Sequence, residues 1–214
     1  MSHVRTLDIG PDRLERWVTG FGERHGGVQW SAAGDAMRLT AADGATASLA
    51  APFPPLPAGW ASEQPVAAIV DHAQAPRVIA ILLVRLGGYA AGVFDGDELI
   101  ASKVGSRQVH GRSAAGGWSQ HRFARRREGQ VKVALAKAAD TAVEVVLPLL
   151  SRLDAVVTGG DRQALQTVLA DPRLSRVRPL VTMRILDVPD PRARVLRNSL
   201  QASRAIRVTL TEPE

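Results

Sequence analysis

The sequence predicts an α/β protein in which a mixed β-sheet carries helices, preceded by a small N-terminal α+β unit. Residues 78–84 (VIAILLV) form a continuous apolar run with the length and composition of a buried strand. Two more strand-like segments follow across glycine-containing turns, and the chain then alternates between helical and strand-like segments up to residue 210. A strand meander followed by alternating helices and strands builds a mixed sheet with helices packed on it.

The chain is predicted to divide into three parts. Residues 1–60 form the small α+β unit, 61–77 a linker, and 78–214 the main α/β domain. The division is placed at the segment APFPPLPAGW, which begins at residue 51 and is rich in proline. Such a segment cannot continue a helix or a sheet and is typical of a stiff connector.

The N-terminal unit has the pattern of one helix and three short strands. The helix begins at Asp12 and ends at Gly26-Gly27, and its apolar residues lie on one face: Leu14, Trp17, Val18 and Phe21. The strands are expected at 28–31, 37–39 and 45–49. Gly34-Asp35 and Asp43-Gly44 are the turns between them.

The main domain begins with three antiparallel strands, expected at 78–84, 89–94 and 99–104. Gly87-Gly88 and Asp95-Gly96-Asp97 have the composition of tight turns between these strands. A long helix is then predicted over about 119–150 from its apolar spacing, with a break near Gly129 or before Pro148.

Alternating elements complete the main domain. We expect a buried strand at 154–158, a helix at 162–170 with Asp161 as its N-cap, a strand at 181–186, a helix from 190 to about 203, and a strand at 206–210. The resulting order, β-β-β-α-β-α-β-α-β, resembles an RNase H-like arrangement.

Composition restricts the compartment and the kinds of site. The chain has no cysteine, which excludes disulfides and thiolate metal sites. No apolar run approaches the ~20 residues that span a bilayer. The N-terminus lacks the apolar core and cleavage site of a signal peptide. These features predict a soluble cytoplasmic protein with no membrane partner.

Basic residues are concentrated in one segment. The formal net charge is +6 and the sequence pI is about 10.8, which favours a polyanionic partner, although arginine-rich residue usage alone would give the same totals. Between Leu99 and Arg127 there is no Asp or Glu, while seven basic residues occur there: Lys103, Arg107, Arg112, Arg122, Arg125, Arg126 and Arg127. Such a block repels itself unless a polyanion meets it, so we predict that this segment approaches RNA.

The same segment has the components of a catalytic loop. Gly116 and Gly117 lie just before Gln120, at or near the first turn of the long predicted helix. Glycine lets the backbone approach a ligand closely, and free N–H groups at a helix start favour an anion or a developing oxyanion. Gln120 is not a strong base, but its amide can hold a water molecule and donate a hydrogen bond. Ser119 fits an N-cap better than a nucleophile.

The string GGWSQ followed by HRFARRR resembles the actinobacterial branch of the release-factor-like peptidyl-tRNA hydrolases. These proteins are relatives of the catalytic domain of the eukaryotic termination factor and of the ribosome quality-control release factor of yeast and animals. The resemblance covers about residues 78–210 and is sharpest over 103–127. The termination factor has Gly-Gly-Gln, whereas Trp118 and Ser119 stand between the glycines and Gln120 here, as in the quality-control branch.

The resemblance implies hydrolysis of the ester that joins a nascent peptide to tRNA on stalled large ribosomal subunits. Gln120 would position the attacking water or present its backbone N–H to the oxyanion, and Gly116 and Gly117 would let the loop enter the peptidyl-transferase centre. No cofactor or metal is implied, and the partners are ribosomal RNA and peptidyl-tRNA, bound by a monomer. The predicted RNA-binding residues are Lys103, Arg107, Arg112, Trp118, Arg122, Arg125, Arg126 and Arg127.

Two other functions fit parts of the pattern. A nuclease cutting the tRNA acceptor end would use Asp95 and Asp97 as metal-binding carboxylates, although a hairpin turn explains both residues. A non-catalytic RNA-binding or ribosome-binding module would need only the arginine block.

Several other residues keep two interpretations. Trp118 fits base stacking or a hydrophobic staple beside the helix. His110 and His121 fit metal ligands or solvated side chains. Gly159-Gly160-Asp161 resembles a phosphate-binding turn, in a form too short to be specific.

Overall fold

The structure, a computed structural model, describes the backbone of residues 3–61, 63–85, 87–106 and 119–213, and the side chains of the same residues except 119–128. The chain divides into two compact units. The first combines Met1–Ala75 with Gln201–Glu214, and the second is Pro76–Leu200. Each unit contains one five-stranded sheet. None of the helices in the described residues combines the length and apolar character of a membrane span.

The first unit is an antiparallel sheet with two helices. Its strands are β1 (His3–Ile9), β2 (Val28–Ala33), β3 (Ala36–Ala41), β4 (Thr46–Ala50) and β10 (Ile206–Glu212), in the order β1-β10-β4-β3-β2. The helices are α1 (Pro11–Arg24) and α2 (Pro65–Gln74). One apolar core joins Leu14 and Phe21 of α1, Ile69 of α2, and inward-facing residues of the strands such as Met37 and Val208.

The C-terminal strand corrects the predicted domain boundary. The sequence placed residues 206–210 in the main domain of 78–214, but β10 pairs with β1 and β4 in the first sheet. Strand β1 was not predicted, and helix α2 lies within 61–77, which was predicted to be a linker. The first unit is therefore closed by the two ends of the chain.

The second unit is the predicted α/β domain with a mixed sheet. Its strands are β5 (Val78–Arg85), β6 (Gly88–Asp95), β7 (Glu98–Ser106), β8 (Ala155–Gly160) and β9 (Val181–Leu186). Its helices are α3 (Ser119–Val146), α4 (Arg162–Leu169) and α5 (Ala193–Ser203), with 3₁₀ turns at Leu147–Arg152, Pro172–Leu174 and Arg178–Leu180. The sheet order is β7-β6-β5-β8-β9, with β5, β6 and β7 as an antiparallel meander and β8 and β9 parallel to β5. The mixed sheet and the meander are confirmed.

Strand register defines two ends of this sheet. At one end Arg85 pairs with Gly88, Gly88 pairs with Ser106, and Val84 pairs with Gly160. At the other end Val78 pairs with Asp95, and Asp95 pairs with Glu98. We call these the loop end and the hairpin end. The segment 107–118, which carries the predicted glycines, connects to β7 at the loop end.

Helix α3 is held on the sheet by its C-terminal half. Buried residues begin at Ala138 and continue to Val146, whereas none of the described side chains from 129 to 137 is buried. The helix changes to 3₁₀ geometry at Leu147, immediately before Pro148, as the proline predicted.

Candidate functional site

The predicted catalytic loop falls largely beyond the described part of the chain. Six residues that the sequence singled out lie outside the described residues: Arg107, His110, Arg112, Gly116, Gly117 and Trp118. Gln120 is the second residue of α3, and four more predicted arginines fall in the first turns of the same helix: Arg122, Arg125, Arg126 and Arg127. Their side chains, and that of His121, are outside the described set. What the structure describes is therefore the pair of elements that flank the loop, β7 and α3, and the residues that pack against them.

Tyr89 contacts the strand on which the loop begins. It pairs with Gly105 across β6 and β7, and its ring lies so close that a Cβ built at Gly105 would overlap it. A glycine is needed at this position to admit the ring, and any side chain would force the ring or the end of β7 to move.

Tyr89 also faces the helix into which the loop leads. A small hollow at the loop end is lined by Tyr89 and Val84 of the sheet and by residues of α3: Val131, Ala134 and Leu135. One aromatic side chain thus packs between the end of β7, where the segment 107–118 begins, and the part of α3 around residues 131–135. No local motif in the sequence marks Tyr89, because its contacts come from strand pairing and helix packing.

Arg85 holds a further segment at the loop end. Its Nη1 donates a hydrogen bond of 2.6 Å to the carbonyl oxygen of Val188, and its Nε lies 4.0 Å from Asp190 Oδ1. The Asp190 carboxylate lies over Gly87, and the Pro191 carbonyl oxygen lies over Gly88. The chain before α5 therefore covers the β5–β6 turn.

The loop end also carries positive charge from a stretch that was not among the predicted RNA-binding residues. The exposed Arg192 directly follows Pro191, and the outer surface of α5 carries the exposed Arg194 and Arg197. No Asp or Glu occurs from 191 to 211. The lack of acidic residues in this stretch is visible in the sequence. That the stretch begins at the loop end is visible only from the packing of Pro191 on Gly88.

Gly159-Gly160-Asp161 also lies at the loop end, but the structure gives it a structural role. Gly160 has φ +104°, and its strand is tied to β5 by a 2.8 Å hydrogen bond from Asp161 N–H to the Val84 carbonyl oxygen. The Asp161 carboxylate accepts a 2.7 Å hydrogen bond from Ala164 N–H and so caps α4, as predicted. The Asp161 carboxylate thus already accepts from one of the N–H groups at the helix start.

Lys103 differs from the other predicted RNA contacts because it has a carboxylate partner. Its Nζ lies 2.5 Å from Glu144 Oε2, with the two side chains 49% and 61% exposed. The pair joins the edge strand β7 to the buried half of α3. Residues 99–127 contain no acidic residue, but Lys103 in this stretch pairs with Glu144, which is 41 residues further along the chain.

The carboxylates considered for a nuclease stand far from the loop. Asp95 is at the hairpin end, where its Oδ2 accepts a 2.6 Å hydrogen bond from Arg152 Nη2. Asp95 is seven positions along β6 from Gly88, which corresponds to about 23 Å along a strand. Within the described residues, no three His, Asp or Glu side chains group as a metal site would require. The hairpin-turn interpretation of Asp95 and Asp97 accounts for their positions.

The family model described as Actinobacteria/chloroflexi VLRF1 release factor matches residues 77–209. No curated protein matches the chain.

Three solved structures are similar in shape at low identity. A crystal structure of the archaeal translation termination factor aRF1 has 14% identity and a TM-score of 0.45, covering 94% of this chain and 66% of that chain. A structure titled "Archaeal protein" has 14% identity and a TM-score of 0.42, covering 92% and 63%. The Vms1 mitochondrial localization core has 12% identity and a TM-score of 0.38, covering 92% and 80%. The chain spans about two thirds of the length of the first two structures.

Proposed function

Because the family match covers more than half of its length, the chain belongs to the actinobacterial and chloroflexi VLRF1 release factor family, and we propose that it releases nascent peptides by hydrolysing peptidyl-tRNA on stalled large ribosomal subunits. The observation that carries the proposal is the position of Gln120, which is the second residue of α3 and directly follows the sequence GGWS. The match to the family includes this segment.

The proposed chemistry is attack of water on an ester carbonyl. The water oxygen bonds to the acyl carbon, the bond from that carbon to the ribose oxygen breaks, and the ribose oxygen leaves with a proton. A neutral amide suits this task because Gln120 can accept a hydrogen bond from the water through Oε1 while donating through Nε2. Positioning and electrostatic stabilisation would supply most of the acceleration.

The backbone of Gln120 offers a second contribution. The first four N–H groups of a helix have no intrahelical acceptor, and residue 120 is among them. Its N–H can therefore donate to the developing oxyanion, and the positive end of the helix dipole favours the same charge. Gly116 and Gly117 would let the neighbouring backbone approach the acyl linkage without side-chain obstruction.

The length of α3 beyond the sheet supports delivery of the loop into a narrow site. Val131 lies at the loop end of the sheet, so the helix continues past the sheet from 130 back to 119. At 1.5 Å per residue this portion extends about 18 Å. A projecting helix of this length can carry the loop into a cavity that the body of the protein does not enter.

The arginine run supports an RNA environment for that projection. Four arginines fall in the first turns of α3, and the first turn contains no acidic residue. Positive side chains at a helix N-terminus oppose the macrodipole and weaken the helix, so this arrangement is unfavourable for the free protein. Phosphates of ribosomal RNA or tRNA would reverse the cost by pairing with the guanidinium groups.

A release assay on stalled large-subunit complexes carrying labelled peptidyl-tRNA tests the proposal. We expect Gln120→Ala to lower the rate of peptide release by about 100-fold or more, the loss typical when a positioned polar group is removed from the reacting centre. Binding to the subunits should stay within twofold of wild type. The matched control is Gln130→Ala, the same substitution on the same helix at a position next to the sheet, and it should leave release unchanged.

Three results would contradict the catalytic assignment. Release by Gln120→Ala at the wild-type rate would remove Gln120 from the reaction. A tRNA product shortened at its 3′ end would favour the nuclease instead. Binding without release by the wild type would favour the non-catalytic module.

A further inference from the structure

A groove of about 660 Å³ lies along helix α1 in the first unit, which the proposed function does not use. Its lining combines arginines with one aromatic residue and one carboxylate: Ile9, Arg13, Arg16, Trp17, Thr19, Gly20, Glu23 and Arg24. We call this feature the α1 groove. Arg13, Trp17, Gly20 and Arg24 follow one another at steps of three or four residues, which places them on one face of the helix, and Arg16 adjoins Trp17.

The arginines of the α1 groove have no protein partner among the described residues. Arg13, Arg16 and Arg24 are all exposed, and none of them lies within ion-pair distance of a described carboxylate. Other arginines of this unit do have partners, since Arg5 pairs with Glu212 at 3.8 Å and Arg207 with Asp8 at 3.2 Å. The groove therefore concentrates uncompensated positive charge.

The first unit as a whole carries more acidic than basic residues, so a cluster of arginines stands out in it. The unit contains seven Lys and Arg residues against ten Asp and Glu, whereas the second unit contains twenty against eleven. Three of the seven thus line one groove in a unit that is acidic as a whole. General basicity cannot account for the cluster, and its field acts only over short distances at physiological salt.

Trp17 and Gly20 shape the floor of the α1 groove. The Trp17 ring is stacked on Phe21, with centroids 5.5 Å apart and planes 10° apart, and Phe21 is fully buried. The indole is therefore held in a fixed plane at the edge of the core. Gly20 has no side chain, so the Arg24 guanidinium can lie over the helix there, with Nη1 3.3 Å from the position of a Cβ at Gly20.

We propose that the α1 groove binds a segment of single-stranded RNA. Phosphates would accept hydrogen bonds from the three guanidinium groups, and a base would stack against the plane of Trp17. Glu23 and Thr19 would accept hydrogen bonds from base amino groups or ribose hydroxyls. An acidic peptide would satisfy the arginines but would bring no base to stack on Trp17.

RNA binding by the full-length protein tests this assignment independently of peptide release. The background for all variants carries Arg125→Ala, Arg126→Ala and Arg127→Ala, which removes the arginine run of α3 as a competing site. Fluorescence anisotropy with a short labelled single-stranded RNA is measured over a series of salt concentrations. The groove variant adds Arg13→Ala, Arg16→Ala and Arg24→Ala, and circular dichroism checks its folding, which alanine in an exposed helix should preserve.

The matched control removes the same charge from the same unit outside the groove, by Arg5→Ala, Arg38→Ala and Arg207→Ala. We expect the groove variant to bind RNA at least tenfold more weakly and to lower the slope of log affinity against log salt by about 2, since each phosphate contact on a single strand contributes about 0.7. The control should change the affinity less than twofold. Trp17→Leu should weaken binding about tenfold through loss of base stacking.

Three outcomes would overturn the proposal: no measurable RNA affinity in the shared background, equal losses in the groove and control variants, or preference for an acidic peptide over RNA. A release defect in Gln120→Ala has no bearing on these measurements. The RNA site and the catalytic proposal can therefore fail separately.

Discussion

The two ends of the sheet in the second unit are built from the same strands but differ in their chemistry. At the hairpin end, polar groups are paired at short range: Val78 N–H donates to Asp154 Oδ2 at 2.7 Å, and Arg152 binds Asp95 at 2.6 Å. At the loop end, the strands terminate in glycines and in Arg85, and they lead into the segment 107–118 and the arginines of α3. One end closes the fold, while the other supports the candidate site.

The comparison shows how a single sheet can serve both purposes. The apolar middle of β5 and its neighbours fixes the register of all five strands, so neither end has to specify it. Residues at the ends are then free to differ. Carboxylates can be paired at the hairpin end, and unpaired positive charge can collect at the loop end at little cost to the core.

The same substitution at the two ends should have very different costs, and Gly160→Ala should have the larger one. Gly160 has φ +104°, and a Cβ there would overlap the Val84 carbonyl oxygen, which accepts the hydrogen bond from Asp161 N–H. Because the obstruction is backbone, we expect a loss of about 2–4 kcal/mol in the free energy of unfolding. Urea unfolding followed by circular dichroism measures it.

Gly96→Ala at the hairpin end is the control for this prediction. Gly96 has φ +59°, but a Cβ there would meet nothing within 4 Å. Only the conformational preference of alanine opposes the change, at about 1 kcal/mol. Equal losses at Gly160 and Gly96 would show that the contact between β8 and β5 at the loop end does not constrain the fold.

Gly105→Ala should separate the function of the loop end from its stability. The added methyl group would displace the Tyr89 ring, which packs between the end of β7 and the part of α3 around residues 131–135. We expect peptide release to fall about tenfold or more, because small displacements of a catalytic group are costly. The free energy of unfolding should fall by only about 1–2 kcal/mol, since a side chain can move where a backbone cannot.

Arg152→Ala supplies the comparison at the hairpin end. It breaks an ion pair whose side chains are 51% and 47% exposed. Such a pair contributes less than about 1 kcal/mol, and release should stay at the wild-type rate. A release defect in Arg152→Ala equal to that of Gly105→Ala would mean that the two ends are not functionally distinct.

Local pattern was sufficient to predict most of the second unit. The apolar run at 78–84 predicted β5, and Asp161 predicted the start of α4 through its capping geometry. Pro148 predicted where α3 would change form. The resemblance carried by GGWSQ is confirmed at the level of the family.

Long-range pairing was not predictable from the same patterns. Strand β1 lies at a sheet edge and is largely exposed, so its sequence lacks the apolar alternation that reveals a half-buried strand. Its partner β10 is about two hundred residues away. The contacts of Tyr89 with Gly105, of Arg85 with Val188 and of Lys103 with Glu144 likewise depend on the assembled sheet.

The smallest effect is expected between the two ends, where Arg173 links α3 to the chain after α4. Its Nη2 donates hydrogen bonds of 2.7 Å to Asp140 Oδ1 and to Asp171 Oδ2. The bond from the Arg173 side chain to Asp171, together with one from the Arg173 backbone N–H, lowers the pKa of Asp171 from 3.8 to about 2. The charged carboxylate is thus favoured in the folded state.

A lowered pKa gives the stability a defined dependence on pH. The contribution of Asp171 is complete above about pH 4, where the carboxyl group is ionised in both the folded and unfolded states, and it is lost as pH falls towards 2. Asp171→Asn keeps an oxygen that can accept the backbone hydrogen bond but removes the charge. Thermal unfolding from neutral pH down to about pH 2 should show a small loss of stability in this variant that shrinks in acid. Asp187→Asn, at an exposed position, is the matched control for the loss of one carboxylate. Parallel profiles for wild type and Asp171→Asn would show that Arg173 does not hold the Asp171 carboxylate in solution.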